Sequence, residues 1–338
     1  MLRIVMMGTG PFAVPIFREL LASQHQMLAL MTQPPRATRG KRKAPLSPMR
    51  AVAEEVELPV HWPESVNTPE SHALLKDYKA DLFVVCDYGQ ILSAETLTLA
   101  KLGGINLHGS LLPKYRGAAP VNWAMYHGDP ETGVTVIHMT PKLDGGPMLA
   151  TATTPIAADE DAVELEHRLS QLGVQPVINS IALLEQHGDQ PPGDIQDPQQ
   201  ATTARRLRKE DGDLPWARSA GEIYNQHRAF QPWPGAYTHW LRENAEPLRL
   251  IVKRMTPLAA QSQIASPGQI VSTEQGRLIV ATADGQISLD QVQPAGKRVM
   301  QAAEFLNGYG LRPGDRFGSF QPIAGPDQAP PASPGNRA

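Results

Sequence analysis

Short apolar runs alternate with helical patterns over the first third of this chain, and this alternation constrains the fold more than any other feature. The runs lie at Leu2–Met7, Met27–Met31, Leu58–Val60, Asp81–Cys86 and Gly103–His108. Strands separated by helices favour a parallel sheet with helices on both faces. Such sheets bind ligands beyond the carboxyl ends of their strands. Residues that directly follow these strands are therefore the first candidates for a functional site.

The chain changes character near residue 187. A long amphipathic helix is predicted over Asp161–Leu184, and a stretch rich in Gln, Pro and Asp follows it. Short alternating segments come next, at Tyr237–Leu241, Leu248–Lys253, Gly268–Val271, Leu278–Thr282 and Ile287–Leu289. Five short strands separated by turns predict a small β-barrel.

The predicted class is therefore α/β, with two domains. We predict a Rossmann-like, mostly parallel catalytic domain over residues 1–186 and a linker over 187–205. An OB-like barrel is expected over 206–317. The remaining residues, 318–338, are rich in proline and are expected to be disordered.

The segment Gly8–Ala13 matches the dinucleotide-binding pattern G-x-G-x-x-A after a first strand. That pattern also requires an acidic residue at the end of the second strand, which holds the ribose. Here the second strand ends in Thr32-Gln33-Pro34-Pro35. We therefore reject a dehydrogenase and interpret the glycines as a tight turn into a helix.

Composition excludes several further classes. No run of 18 apolar residues and no signal peptide occur, so we expect a cytoplasmic protein with no membrane contact. The single cysteine, Cys86, cannot form an intramolecular disulfide or a thiolate cluster, and we expect no metal. The net charge is -3, yet residues 206–317 hold 14 Lys and Arg against 11 Asp and Glu. This weak asymmetry is compatible with a surface that faces a polyanion.

A basic stretch lies in the connection over residues 33–48. Five of the eight residues from Arg36 to Lys43 are basic: Arg36, Arg39, Lys41, Arg42 and Lys43. Long connections of this kind are often functional. From the residues alone, the stretch is either a solvated charge run or an arm that contacts phosphates.

Three polar side chains stand out as a candidate catalytic site. Asn106 and His108 alternate at the end of a predicted strand, so they should share one face. Asp144 lies in a turn before Gly145 and Gly146. An amide donor, an imidazole and a carboxylate can support acyl transfer to an amine without a covalent intermediate. A histidine after a strand can equally be structural, and the residues alone leave both readings open.

The segment Asn106–Trp123 resembles the core motif of the folate-dependent formyltransferases. Gly133–Val136 and Leu143–Gly146 resemble their second signature. The branch of this family that formylates methionine on initiator tRNA is resembled further by Thr32–Pro34 with the basic stretch, Leu207–Asp211, Ala229–Pro234, Gln293–Lys297 and Phe305–Gly308. The resemblance covers residues 2 to 310.

This resemblance implies 10-formyltetrahydrofolate as the formyl donor and initiator methionyl-tRNA as the acceptor, in a chain expected to be a monomer. It implies that Asn106, His108 and Asp144 are catalytic. The folate contacts that it implies are Ser110, Leu111, Leu112, Pro113, Tyr88, Gly89, Ile91 and Leu92. It also implies that Arg36, Arg39, Lys41, Arg42 and Lys43 contact the tRNA acceptor end.

The chain departs from the family pattern in three places. Thr9-Gly10-Pro11-Phe12 lacks an acid that is usual near the start, and Pro141 and Pro147 stand where acids are frequent. The nearest alternative is a sugar-nucleotide N-formyltransferase with the same donor, which would not need the basic stretch. Glycinamide ribonucleotide formyltransferase is shorter and lacks the barrel. A non-catalytic folate- or RNA-binding module would be expected to lose one of the three catalytic residues.

Overall fold

A computed structural model describes residues 1–35, 46–188, 193–243, 245–259 and 265–320 of the chain. The chain forms two compact units. The first comprises Met1–Asp211 and Asn225–Pro234, and the second comprises Gly212–Tyr224 and the chain from Gly235 onward. Residues 36–45, which hold the basic stretch, and residues 321–338 of the predicted tail lie outside the described residues.

The first unit is built on a seven-stranded sheet. Its strands are β1 (Arg3–Met7), β2 (Gln26–Met31), β3 (Val60–His61), β4 (Leu82–Val85), β5 (Gly104–His108), β7 (Glu131–His138) and β8 (Met148–Pro155), while β6 (Arg116–Gly117) pairs separately with β9 (Thr203–Ala204). The helices are α1 (Val14–Ala22), α2 (Pro48–Glu55), α3 (Pro69–Tyr78), α4 (Ala94–Leu97), α5 (Pro120–His127), α6 (Ala162–Leu172) and α7 (Val174–His187). None of the described helices is long and apolar enough to cross a membrane.

The strand order is β3-β2-β1-β4-β5-β7-β8, and every pair from β3 to β5 is parallel. One face packs Ile4 and Val84 against α1, α6 and α7, and the other packs Val5 and Phe83 against residues of α3 and α4. Apolar residues on both faces of one strand explain the unbroken apolar runs. The predicted mostly parallel α/β fold is confirmed.

The sheet reverses direction after β5. β7 pairs antiparallel with both β5 and β8. His138, the last residue of β7, lies opposite Ile105, so β7 ends beside the first half of β5. The connection over residues 139–147 then brings Asp144 to Asn106 and His108.

The single helix predicted over Asp161–Leu184 is divided into α6 and α7 at Gly173. Pro176 explains the division, because a proline cannot donate to the carbonyl four residues earlier and its ring clashes with that carbonyl. Gly173 also lies against the sheet, where an added Cβ would approach Leu107 Cδ2 to 2.6 Å.

The second unit is an antiparallel barrel. Its strands are β10 (Ala236–Leu241), β11 (Leu248–Leu258), β12 (Ile270–Ser272), β13 (Leu278–Ala281), β14 (Gln286–Pro294), β15 (Met300–Gln301) and β16 (Arg316–Gly318), and helix α9 (Ala302–Tyr309) packs on them. Helix α8 (Ala220–Ala229) runs from this unit into the first. The order is β12-β13-β14-β11-β10-β16, and a bridge between Gln269 and Arg316 joins the two ends. The five predicted strands are present, and the barrel is nearly closed.

Candidate active site

Asn106 and His108 lie at the carboxyl end of β5, an interior strand of the sheet. Asn106 is level with Val85 of β4, and His108 is level with Thr135 of β7. His108 is buried and Asn106 is half-buried. As predicted from the period of a strand, both residues lie at one edge of the sheet.

Asp144 reaches the same place from the loop between β7 and β8, with a left-handed backbone at φ 47°. Its Oδ1 atom lies 3.5 Å from Asn106 Nδ2. Its Oδ2 atom lies 3.7 Å from His108 Nδ1, which is beyond hydrogen-bond distance. The structure therefore brings the three predicted catalytic side chains together.

The segment after β5 holds both His108 and Asp144. The Gly117 N–H donates to Asp144 Oδ2 at 2.8 Å. His108 Nε2 lies 2.9 Å from the carbonyl oxygen of Tyr115, which can only accept, so Nε2 carries a hydrogen. The other ring nitrogen, Nδ1, then faces the Asp144 carboxylate.

The loop that carries Asp144 is closed by a tight turn at Gly146. A Cβ added to Gly146 would lie 1.8 Å from the carbonyl oxygen of His138, so no other residue fits there without moving the backbone. The His138 N–H donates to the carbonyl of Pro147 at 2.9 Å. That bond uses only the main chain of Pro147, so the replacement of the usual acid leaves it in place.

A cavity of about 1020 Å³ opens at this edge of the sheet. The three candidate catalytic residues line it, and so do Tyr88, Gly89, Ile91 and Leu92. These four predicted folate contacts therefore line the same cavity as the three candidate catalytic residues. A site that must hold a large aromatic ligand needs a concave wall of this kind.

The other predicted folate contacts, Ser110, Leu111, Leu112 and Pro113, do not line this cavity. Ser110 Oγ donates to the carbonyl of Lys114 at 2.7 Å, and the Leu112 N–H donates to Thr135 Oγ1 at 3.1 Å. These bonds shape the turn that leads from His108 to Tyr115. Contact between this segment and folate stays a prediction.

The predicted tRNA contacts Arg36, Arg39, Lys41, Arg42 and Lys43 lie outside the described residues. Within the described part of the first unit, the cavity is lined by three other cations: Arg50, Lys142 and Arg206. The guanidinium of Arg50 lies 4.5 Å from the centroid of the Trp62 ring. Trp62, Leu46, Ile91 and Leu143 all line the cavity and are exposed, so its wall is largely apolar as well as cationic.

Sequence reasoning missed two acids on the cavity wall, Asp87 and Glu166. Desolvation and the charge of Glu166 raise the pKa of Asp87 to about 7, although the Gly10 N–H opposes the shift. Burial also raises the pKa of Glu166. Asp87 is also exposed, so its carboxyl is open to the cavity. The signal in the sequence was the position of Asp87 directly after a buried strand.

Asp87 also explains Gly10, one of the glycines of the apparent dinucleotide pattern. A Cβ added to Gly10 would lie 1.8 Å from Asp87 Oδ2. The backbone of Gly10 is extended, with φ -87°, so conformation alone does not require glycine there. The residue is small because the carboxyl of Asp87 occupies the adjacent space. Asp87, which follows β4, thus places an acid beside the segment Thr9–Phe12, which has none of its own.

Across the ranges that the structure describes, no group of three or more His, Cys, Asp or Glu side chains is arranged to hold a metal ion.

Comparison with known families shows two matches. Residues 2–181 match the model described as formyl transferase, and residues 206–310 match the formyl transferase C-terminal domain. A methionyl-tRNA formyltransferase of Rhodopirellula baltica is 44% identical over 327 residues, which cover 94% of this chain and 96% of that protein. Another, from Geobacter sulfurreducens, is 39% identical and covers 94% of this chain and 97% of its own length.

Solved structures share the fold at lower identity. HypX from Aquifex aeolicus in complex with tetrahydrofolic acid aligns with a TM-score of 0.59 at 14% identity, over 95% of this chain and 51% of that chain. This chain thus spans about half the length of HypX. An N-formyltransferase from Helicobacter canadensis, in complex with folinic acid and dTDP-3-aminofucose, aligns with a TM-score of 0.61 at 17% identity, over 86% and 99% of the two chains.

Proposed function

The chain belongs to the methionyl-tRNA formyltransferase family, and on that premise we propose how its cavity performs the reaction. The enzyme transfers a formyl group from 10-formyltetrahydrofolate to the α-amine of methionine on tRNA. We propose that the initiator tRNA is the form it uses in the cell. The observation that carries the mechanism is the convergence of Asn106, His108 and Asp144 at one wall of the cavity.

The amide of Asn106 is suited to stabilise developing charge. When the amine attacks the formyl carbon, negative charge develops on the formyl oxygen, and a fixed donor stabilises it. Asn106 Nδ2 is half-buried and is held 3.5 Å from Asp144 Oδ1, so it is oriented before substrate binds. His108 can donate to the same oxygen in its protonated form, because its imidazole can carry a second hydrogen.

Asp144 is suited to remove the proton that the attacking nitrogen must lose. Its carboxylate accepts from the Gly117 N–H and faces both other catalytic residues, so its orientation is restricted. Proton transfer to Asp144 either directly or through one water is compatible with this placement. No side chain is required as a nucleophile, because the acceptor brings its own amine. As the tetrahedral intermediate collapses, the bond between the formyl carbon and N10 of the donor breaks, and N10 of the leaving tetrahydrofolate takes the proton that the amine has lost.

The cavity wall fits the folate donor. Exposed Leu46, Trp62, Ile91 and Leu143 offer apolar surface to a pteridine and its aromatic tail. Arg50 and Lys142 offer cations to the carboxylates of the glutamate tail.

We further propose that the basic stretch from Arg36 to Lys43 contacts the acceptor end of the tRNA and that the barrel supports it. The barrel's net positive charge, compared with the rest of the chain, supports this assignment. Arg42→Ala should raise the KM for tRNA. It should also reduce the slope of log KM against log salt concentration by about 1, because one phosphate contact fewer releases about one counterion fewer. Lys76→Ala is the comparison variant and should leave the slope unchanged, because Lys76 is an exposed residue of α3 that does not line the cavity. A salt slope that Arg42→Ala leaves unchanged would remove this residue from the phosphate contacts.

Formyl transfer to a panel of acceptors tests the whole proposal. The panel is methionyl initiator tRNA, methionyl elongator tRNA and amino-sugar nucleotides, each with 10-formyltetrahydrofolate. We expect transfer to the initiator tRNA alone. Transfer to a sugar nucleotide would retain the chemistry and overturn the acceptor. We also propose that the enzyme acts in the cytoplasm, where a tRNA acceptor would be found, and that it acts as a monomer, which sedimentation would check.

A further inference from the structure

Gln196 lies in the stretch over residues 187–205 that the sequence indicated to be a linker. The structure instead packs part of this stretch against the catalytic loops, since Asp194 and Met148 pair through two backbone hydrogen bonds of 2.9 Å. Gln196 itself is buried, with 4% of its surface exposed. A buried amide side chain needs partners for all its polar groups.

The side chain of Gln196 has four hydrogen bonds to two catalytic segments. Its Nε2 atom donates to the carbonyl oxygens of Asp144 and Gly146, each at 2.8 Å. Its Oε1 atom accepts from Arg116 Nε at 3.0 Å and Nη2 at 2.6 Å. The amide therefore joins the loop that carries Asp144 to the segment that precedes Gly117.

The same stretch also holds the backbone behind His108. Thr202 Oγ1 accepts from the Tyr115 N–H at 2.8 Å, and the carbonyl of Thr202 accepts from the Arg116 N–H at 2.9 Å. Tyr115 is the residue whose carbonyl accepts from His108 Nε2. Gln196 and Thr202 thus contact the supports of both His108 and Asp144.

We propose that Gln196 is a positioning residue that sets the place of the Asp144 carboxylate relative to Asn106 and His108. This inference rests on the proposed function, because it assigns Gln196 a role in that reaction. Only a side chain with a donor and an acceptor at this reach satisfies two carbonyls and a guanidinium together. A shift of about 1 Å in a catalytic group can lower a rate about 100-fold.

Gln196→Met removes the four hydrogen bonds and keeps the length of the side chain. We expect kcat to fall about 10- to 100-fold, while the KM values for folate and tRNA stay within about threefold. Gln196→Glu is a second variant, whose carboxylate keeps the bonds from Arg116 and loses both donations to the loop. The control is Gln200→Ala in the same stretch, which removes one exposed bond to Asp197 and should leave kcat unchanged.

A double-mutant cycle separates positioning from a merely structural role. In an Asp144→Asn background, Gln196→Met should lower kcat by a much smaller factor than it does in the wild type, because both residues act through the Asp144 side chain. An equal fall in kcat in both backgrounds would overturn the proposal. So would normal kcat in folded Gln196→Met protein, with folding checked by circular dichroism. An inactive wild type would instead contradict the proposed function, so the two failures are distinct.

Discussion

Replacing Asp144 with Asn tests the mechanism most directly, because it removes one negative charge and keeps the size of the side chain. In the structure, Oδ2 accepts the Gly117 N–H at 2.8 Å and lies 3.7 Å from His108 Nδ1. An Asn side chain can still offer its oxygen to Gly117. Its NH₂ group then faces Asn106, which is also a donor, so the contact at Oδ1 is lost.

The expected size of the effect follows from these distances. At 3.7 Å, the charge that Asn lacks would contribute about 4.5 kcal/mol to holding a positive imidazole, at an effective dielectric constant of about 20. Loss of a general base costs about 100- to 10,000-fold in rate, or about 3 to 5 kcal/mol. We expect kcat to fall about 1,000-fold, the middle of the general-base range. Folding should lose only about 1 kcal/mol, because one hydrogen bond is weakened.

The assay is single-turnover formyl transfer to methionyl initiator tRNA with saturating donor, beside thermal unfolding of the same sample. Asp159→Asn is the matched control, since Asp159 is exposed and does not line the cavity. A rate for Asp144→Asn within tenfold of the wild type, in folded protein, would refute a role for this carboxylate in proton transfer.

Two further predictions concern Asp87 in the cavity and Gly146 in the loop that carries Asp144. The folded protein holds a proton on Asp87 up to about pH 7, whereas an unfolded chain releases it near pH 4, so stability should fall as pH rises between these values. Asp87→Asn should remove this loss, and the difference in Tm between variant and wild type should grow from pH 4 to 7; a constant difference would contradict the raised pKa. Gly146→Ala places Cβ 1.8 Å from the carbonyl of His138, so we expect a loss of about 1–3 kcal/mol in urea unfolding and a large fall in kcat. Gly145→Ala is the comparison, because its nearest neighbour is the flexible side chain of Lys142, and equal effects would show that the backbone contact is unimportant.

The parts of the site that lie on regular elements could be predicted from the sequence. Period-two spacing placed Asn106 and His108 together, and the alternation of strands and helices predicted the edge where they lie. Apolar runs do not encode strand direction, so the antiparallel β7 could not be predicted from them. Asp144 lies in the connection that follows this antiparallel strand, so its place at the site could not be predicted from the runs either.

Residues on irregular segments were harder to find. Gln196 lies in a stretch without apolar periodicity, and its role depends on partners 50, 52 and 80 residues away along the chain. The sequence predicts only that Asp87 lies in a loop. Its raised pKa and its contact with Gly10 depend on Gly10 and Glu166, which belong to other elements. Long-range contacts of this kind leave no local signal.

The size of the cavity has a consequence for the kinetic mechanism, that is, whether both substrates bind before any product leaves. The cavity volume of about 1020 Å³ slightly exceeds the range of about 300–1,000 Å³ that holds one drug-sized ligand. It therefore leaves room for the end of the acceptor beside the donor. The reaction should then proceed through a ternary complex, with intersecting double-reciprocal plots rather than the parallel lines of a ping-pong scheme. A single molecule that joins a folate to an aminoacyl-adenosine should bind far more tightly than either part, because the second contact becomes intramolecular.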